Sequence, residues 1–196
     1  MMDYLLTKPC TDVGHVNHIL NHPSVYPWIK GWHEGKFDIS KWMNNDNVIL
    51  AFEHGCSVFV KHQIGVYEWH VAVLPEGRGQ QSLLWGRRAL NWMFVNTDAV
   101  DILAQCPPTN PFVRIIIQQM GLKKEFVTRS LWPTKDGKVP VDVYSMSIQE
   151  WIRDINDIPD KHAVISDYMV KCGQKEKGIN FFNRWAAINH YEKMAA

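Results

Sequence analysis

The sequence has few cysteines, no long hydrophobic run and no excess of charge of either sign. Its four cysteines are scattered singly along 196 residues, and no two have Cys-x-x-Cys spacing. This pattern predicts reduced thiols in a cytosolic protein. No apolar run approaches the roughly 20 residues of a membrane-spanning helix. Because Met1–Leu6 also lacks the basic flank and apolar core of a signal peptide, we expect a cytoplasmic protein without a membrane partner.

The balance of charge argues against nucleic acid as a main partner. Lysine and arginine number 21 against 20 aspartates and glutamates, so the formal net charge is +1. Nucleic-acid binders usually carry a basic excess or a basic run, and the longest cationic cluster here is Lys123-Lys124. Hydrophobic residues make up 46% of the chain, which is enough for a core without a metal or disulfide.

Histidines raise the question of a metal site. His18 and His22 lie four residues apart, the spacing of one helix face, but no third ligand is placed beside them by spacing. Surface or turn histidines are the simpler interpretation. We therefore predict no metal.

The order of predicted elements indicates an α/β domain with a mixed sheet. Runs of β-branched and aromatic residues predict strands, and apolar residues at helical spacing predict helices. A strand–helix–strand–helix centre implies one right-handed crossover with a parallel pair, and hairpins on either side make the remaining pairs antiparallel. The predicted elements are helices over Asp12–Leu20, Leu83–Phe94 and Asn110–Met120, and strands over Val48–Glu53, Ser57–Lys61, Val66–Leu74, Val100–Ala104, Phe126–Trp132 and Val139–Ile148.

Residues with known preferences for helix ends and turns support these boundaries. Thr11 is the predicted cap of the first helix. Asn110 followed by Pro111 is a favoured pairing at a helix start, and Gly121 stands where a helix end favours positive φ. Asp136-Gly137 is a strong hairpin signal between the last two strands.

The segment Val66–Phe94 carries the chemistry. It predicts a strand, a tight turn containing Gly77, Arg78 and Gly79, and a helix. Free N–H groups at a helix start bind anions, and the helix dipole adds to the attraction. Glycines allow a tight turn and close approach of a ligand to the backbone, while Arg78 adds a cation where a phosphate would lie.

This segment resembles motif A of the GNAT superfamily of N-acetyltransferases. The similarity lies in Val71-Ala72-Val73-Leu74-Pro75-x-x-Arg78-Gly79-Gln80, against the family's V-x-P-x-x-R-G-x-G-x-G/A between a strand and a helix. Downstream, Asn110 to Gly121-Leu122 resembles the family's N-x-x-A…G-F segment. Three further pieces resemble acetyltransferase-like proteins of tailed bacteriophages: Glu68-x-His70, Leu74-Pro75-Glu76-x-Arg78-Gly79 and Trp92-Met93-Phe94-x-x-Thr97-Asp98.

The resemblance implies a GNAT-like fold, with a mostly antiparallel sheet, a splayed parallel central pair and flanking helices. It also implies transfer of an acetyl group from acetyl-CoA, as co-substrate, to an amine by direct attack in a ternary complex. Acetyl-CoA would lie where the two parallel strands separate, and a backbone N–H there would polarise the thioester carbonyl. The residues implied to bind it are Val71, Val73, Arg78, Gly79, Gln80, Gln81, Ser82, Leu83 and Asn110.

Three residues depart from the family pattern. Gln81 and Leu83 replace two motif glycines, and Ile117 stands where many members carry a tyrosine that protonates the leaving thiolate. An alternative therefore stays open: a weak or inactive GNAT-fold phage protein that acts as a structural, virion-associated or host-protein-binding module.

The general base is suggested by the residues themselves. Glu68 and His70 lie two apart and so share one face of the strand. A carboxylate beside an imidazole can serve as a base or relay, because histidine titrates near neutral pH. The alternative is a structural pair on a half-exposed strand. We name both as candidate catalytic residues.

The chain divides into a GNAT-like domain and an extension. Residues 1–150 form the predicted acyl-CoA-binding domain. Residues 151–196 are a predicted helical extension that packs on the domain or binds a protein partner. The identity of the acceptor amine, whether small molecule or protein, is not indicated.

Overall fold

A computed structural model describes residues 9–30, 34–108, 110–134 and 137–154. Trp32, His33, the turn residues Lys135-Asp136 and most of the predicted extension lie outside these ranges. The elements, in chain order, are α1 (Val13–Leu20), α2 (Tyr26–Ile29), a 3-10 helix (Ile39–Trp42), β1 (Val48–Phe52), β2 (Gly55–Gln63), β3 (Val66–Val73), a second 3-10 helix (Pro75–Gly77), α3 (Gln80–Asn96), β4 (Asp101–Cys106), α4 (Pro111–Gln119), β5 (Lys123–Thr134), β6 (Gly137–Ser147) and α5 (Ile148–Asp154).

The described strands form one mixed sheet in the order β1-β2-β3-β4-β6-β5. Every neighbouring pair is antiparallel except β3 and β4, which run parallel and are joined through α3. The predicted fold class, a mostly antiparallel sheet with a splayed parallel central pair and flanking helices, is confirmed.

Each face of the sheet carries its own apolar core. On one face, α1 residues Val16, Ile19 and Leu20 pack with Val58 and Ala72 of β2 and β3. On the other face, the buried sides of α3 and α4 pack on β3, β4 and β6; this cluster includes Trp69, Leu90, Met93, Phe94, Ile102, Ala104, Ile117 and Tyr144. Because strand side chains alternate between faces, Glu68 and His70 lie on the α1 face.

Two predicted helix starts differ from the structure. The side chain of Asp12, not Thr11, caps α1 by accepting the backbone N–H of His15 at 2.9 Å. Asp12 is the N-cap because its carboxylate stands one residue nearer than Thr11 to the first free N–H groups of the helix. Helix α3 begins at Gln80 rather than Leu83, since its first turn is polar and gives no apolar period to detect.

Helix α5 packs against the rest of the domain through Trp151. The Trp151 ring stacks on Phe94 with centroids 5.2 Å apart, and its Nε1–H donates to Asn91 Oδ1 at 2.7 Å. Trp151, the first residue of the predicted extension, is therefore part of the core on the α3 face.

Candidate active site

A gap opens between β3 and β4 in the middle of the sheet. The parallel strands pair at three positions, Val66–Asp101, Tyr67–Ile102 and Glu68–Leu103, and no later pair is formed. Beyond Glu68, β3 continues beside β2 alone, while β4 continues beside β6. The sheet is therefore open between Trp69–Val73 and Ala104–Cys106.

The backbone of β3 offers hydrogen-bonding groups to this gap. Leu74 N–H donates to His54 O at 2.8 Å, which fixes the alternation of the antiparallel ladder with β2. Val71 and Val73 face Ser57 and Gly55 in register and so occupy the alternate positions. Their N–H and C=O groups point away from β2, toward the gap. A ligand lying in the gap would meet them as it would meet a neighbouring strand.

The turn after β3 is a short 3-10 helix followed by an open glycine. Gly77 does not have positive φ; it is required by packing, because a Cβ there would lie 2.7 Å from His54 Cβ and 3.1 Å from His54 O. Gly79 caps α3 with φ of 85° and has nothing within 4 Å of its Cβ position. The glycine with positive φ thus borders open space at the helix start.

The first turn of α3 holds N–H groups that no helical carbonyl can accept. Leu83 N–H makes the first helical hydrogen bond, to Gly79 O at 3.3 Å. Its N–H is already engaged and is a poor candidate for the phosphate cradle. Arg78 N–H is likewise engaged with Pro75 O. The groups that remain for an anion are those of Gly79, Gln80, Gln81 and Ser82.

The side chains of this turn divide between solvent and core. Gln80 and Gln81 are exposed, while Ser82 is buried and donates through Oγ to Gly79 O at 2.6 Å. Leu83 is partly buried against the core on the α3 face. Among these side chains, only those of Gln80 and Gln81 stand in solvent beside an approaching anion.

Arg78 is held at the mouth of the gap. Its Nη2 donates to Ser24 O at 3.1 Å, and its Nε lies 3.5 Å from Val73 O. The bond to Ser24 O joins the turn to the segment after α1. A guanidinium has five donors, so Arg78 keeps others for a phosphate; full engagement with a phosphate would release Ser24 O.

Asn110 begins α4 as predicted. Its side-chain oxygen accepts Val113 N–H at 3.4 Å, and Gly121 follows the helix with φ of 92°. The side-chain oxygen of Asn110 is therefore used to cap α4. A contact between Asn110 and a coenzyme arm stays a prediction.

Glu68 lies between two imidazoles. Its Oε2 is 2.7 Å from His62 Nε2, and its Oε1 is 3.6 Å from His70 Nε2. The Glu68 side chain is 11% exposed, while both histidine side chains are 47% exposed. The contact of Glu68 with His70 agrees with the predicted pair, whereas His62 was not among the predicted site residues. His62 lies diagonally across the β2–β3 pair from Glu68, but it stands at an irregularity in the register that the alternation of residues does not reveal.

The surroundings of His70 perturb its ionisation. Desolvation lowers the pKa of His70 below its usual range; the Glu68 carboxylate raises this pKa, and the His62 ring lowers it further. The net direction is downward. The exposed Trp42 ring meets His70 edge-on at 6.3 Å between centroids. His70 is thus a neutral base candidate beside an exposed aromatic ring.

Neither Ile117 nor Tyr144 is open to the gap. Ile117 is 2% exposed and Tyr144 is 1% exposed, both in the core on the α3 face. Burial, together with the nearby Asp142 carboxylate, raises the pKa of Tyr144. Neither side chain is placed to protonate a leaving thiolate.

Comparison with known proteins identifies the fold. No family model matches the sequence, and no curated protein sequence matches it. An acetyltransferase of the GNAT family from Bacillus anthracis superposes with a TM-score of 0.58 at 18% identity, covering 72% of this chain and 97% of that one. The chain has the GNAT fold.

Spermidine acetyltransferases share this GNAT fold. A chimera of the spermidine N-acetyltransferase SpeG from Vibrio cholerae and hSSAT has a TM-score of 0.53 at 14% identity, covering 59% of this chain and 78% of that one. Mutant forms of the Vibrio cholerae spermidine/spermine N-acetyltransferase SpeG superpose with a TM-score of 0.54 at 14% identity, covering 60% of this chain and 77% of that one. At these identities the likeness is one of fold.

Two features are absent from the described ranges. No helix within them is long and apolar enough to cross a bilayer. No group of three histidine, cysteine or acidic side chains within them is arranged to hold a metal ion.

Proposed function

We propose that this protein is an N-acetyltransferase that transfers an acetyl group from acetyl-CoA to an amine by direct attack in a ternary complex. The observation that carries the proposal is the gap between β3 and β4, which opens beside the unpaired first turn of α3. The combination supplies a strand edge for amide groups and a helix start for phosphates. The GNAT fold supports the same activity.

The described residues fit a nucleotide-linked thioester. Val71 and Val73 would pair with the pantetheine amides, and the N–H groups of Gly79 to Ser82 would hold the pyrophosphate. Arg78 would add its positive charge at the same place. Asn110 would touch the coenzyme arm. When bound, acetyl-CoA supplies an acetyl group activated as a thioester.

Glu68 and His70 would accept the proton of the acceptor amine. A protonated amine gives one proton to this pair and becomes the free amine that forms the new C–N bond. The thioester C–S bond breaks, and the leaving thiolate takes the second amine proton, by way of water since Ile117 and Tyr144 are buried. A backbone N–H facing the gap, such as that of Val71, would polarise the thioester carbonyl.

Binding of acetyl-CoA is the first test. A ligand that binds only the folded state stabilises it by about 2.7 kcal/mol at 100 times its Kd. We expect the thermal midpoint of the full chain to rise with millimolar acetyl-CoA, and calorimetry to give one site. No rise in the midpoint at millimolar acetyl-CoA contradicts the proposal.

Turnover is the second test, with free thiol as the product measured. Because proteins of this fold include spermidine acetyltransferases, spermidine is a reasonable first acceptor, followed by other amines and lysine peptides. Binding without turnover would favour the alternative, a GNAT-fold structural or host-protein-binding module. The exposed Gln81 side chain at the helix start and the buried Ile117 are the observations that favour that alternative.

Cellular setting and partners remain part of the proposal. A phage-encoded protein acting in the host cytoplasm agrees with the resemblance described above, and residues 151–196 would add contacts to the domain or to a protein partner. Fractionation of infected cells and virions tests the location.

A further inference from the structure

The two oxygens of the Glu68 carboxylate differ in their contacts with the neighbouring histidines. His62 Nε2 lies 2.7 Å from Oε2, within hydrogen-bond distance, whereas His70 Nε2 lies 3.6 Å from Oε1, beyond it. An ionised carboxylate only accepts hydrogen bonds, so Nε2 of His62 carries the proton of the shorter contact. His62 therefore fixes the rotamer of Glu68 while leaving Oε1 for His70.

Position along the sheet separates the roles of the two histidines. His70 lies two residues past the last β3–β4 pair and so stands on the strand that borders the gap. His62 lies on β2, one strand further from the gap, at an irregularity in the β2–β3 register. Glu68 is too buried to meet an acceptor directly. Of the three side chains, His70 is both exposed and adjacent to the gap.

We propose that His70 is the group that takes the amine proton, that Glu68 stabilises the resulting imidazolium, and that His62 is a positioning residue that holds Glu68. This rests on the proposed acetyltransferase function and assigns its base. In many enzymes a base that activates the nucleophile is itself oriented by a neighbouring group; here His70 is the base and Glu68, held by His62, is the neighbouring group. With Nε2 of His70 turned toward Glu68, the opposite nitrogen, Nδ1, is the acceptor of the proton.

Few other charges of the described residues act on His70. His62 on β2 and Glu68 on β3 are the charged groups that act on the pKa of His70. On β4, Leu103 and Gln105 share this face and do not titrate; Asp101 also shares it but lies beside Val66, at the end of the parallel ladder away from the gap. Lys41, on the 3-10 helix next to Trp42, is exposed. Changes in the titration of His70 can therefore be assigned to the histidine–glutamate–histidine set.

The first experiment compares His62→Gln with His62→Leu. The Gln side chain can place an N–H donor where His62 Nε2 lies, whereas Leu cannot. We expect His62→Leu to lower kcat about tenfold or more with little change in the KM for acetyl-CoA, and His62→Gln to recover most of that loss. The matched changes at the exposed His18, His18→Gln and His18→Leu, should leave kcat unchanged. Equal effects of the two His62 variants, or none, would overturn the proposal.

The second experiment needs no turnover and so separates this proposal from the acetyltransferase function. Nitrogen-15 NMR of the imidazoles in the ligand-free chain should show the Nε2–H tautomer for His62, with a resonance that moves in Glu68→Gln. His62→Leu should shift the titration midpoint of His70, and His18→Leu should not. If the His62 resonance does not move in Glu68→Gln and the His70 midpoint does not shift in His62→Leu, the proposed roles of His62, Glu68 and His70 are wrong even when the protein acetylates an amine. If both respond and no amine is acetylated, only the acetyltransferase function fails.

Discussion

Glu68 and Leu103 form the last pair of the parallel ladder between β3 and β4. The residue that closes the ladder is thus also the buried carboxylate of the candidate site. Past this pair, Val71 and Val73 direct their backbone groups into the gap, and the chain then turns into α3. The side chains that we propose accept the proton and the backbone edge that we propose holds the thioester lie within a few residues of each other on one strand.

Reversing the charge at Arg78 tests the pyrophosphate site. Arg78→Glu should abolish measurable acetyl-CoA binding in calorimetry, because a carboxylate would face phosphate charge at the helix start. Arg129→Glu, on the exposed part of β5, is the charge-matched control and should bind as the wild type does. Since Arg78 also donates to Ser24 O, thermal unfolding without ligand must show that the variant is folded.

Adding a methyl group at Gly77 tests the packing of the turn. The new Cβ of Gly77→Ala would lie 2.7 Å from His54 Cβ, so the turn must shift, and we expect a loss of about 1–3 kcal/mol in the free energy of unfolding. Urea denaturation measures it. Gly14→Ala, at an exposed position of α1, is the control. Its Cβ would lie 3.3 Å from Asp12 Oδ1, a side-chain atom that can move, so this change should cost little or stabilise the helix. An equal loss in both variants would contradict the packing argument.

The titration of His70 has a predicted sign. Its midpoint, followed by NMR of the ring, should lie below the usual 6.5, and Glu68→Gln should lower it further because the carboxylate that raises the pKa is removed. The acidic limb of kcat/KM should then lie below pH 6.5 in the wild type. A midpoint above 6.5 would contradict both expectations.

The same shift affects stability. Between the lowered folded pKa of His70 and 6.5, the unfolded chain binds more protons than the folded chain. The contribution of His70 is therefore present above pH 6.5 and is lost as the pH falls through that window. His70→Gln should flatten the pH dependence of the urea midpoint there, whereas His18→Gln should not.

Glu150 should stabilise the start of α5 in a pH-dependent way. Its Oε1 accepts from Lys123 Nζ at 2.7 Å and its Oε2 from Ser147 N at 3.0 Å, and with the Ser147 side chain these contacts form a capping box. The hydrogen bond from Lys123 is the largest cause that lowers the pKa of Glu150 from 4.5 to about 2. Its stabilisation is present above pH 4.5 and is lost as the pH falls toward 2.

Substitution of Glu150 measures this contribution. Glu150→Ala should cost about 1 kcal/mol at pH 7, measured by urea denaturation, and the difference from the wild type should shrink below pH 4.5. The exposed neighbour change Gln149→Ala should cost much less. A constant difference between Glu150→Ala and the wild type from pH 7 to pH 3 would exclude the capping box as the cause.

The sequence by itself determined the order and type of the elements. Alternation and helical period come from burial of one face, so β3, α3, β4 and α4 were predictable locally, as were the cap at Asn110 and the positive φ at Gly121. Helix starts were less certain because they depend on single hydrogen bonds, as at Asp12. The conformation of Gly79 was predictable from the turn, but the packing role of Gly77 required the neighbouring hairpin.

Only the tertiary structure decided which groups meet. The separation of β3 from β4 after Glu68 depends on how β4 pairs with β6, a contact distant in sequence, and no local pattern reports it. His62 joins Glu68 through a cross-strand diagonal, and the irregular register of the hairpin hides this from a count of alternating residues. Likewise, the engagement of the Leu83 N–H with Gly79 O and of Arg78 with Ser24 O follows from the folded turn. The residue types of the candidate site can be read from the sequence, whereas the partners of these residues and their exposure to the gap depend on how the strands pair across the sheet.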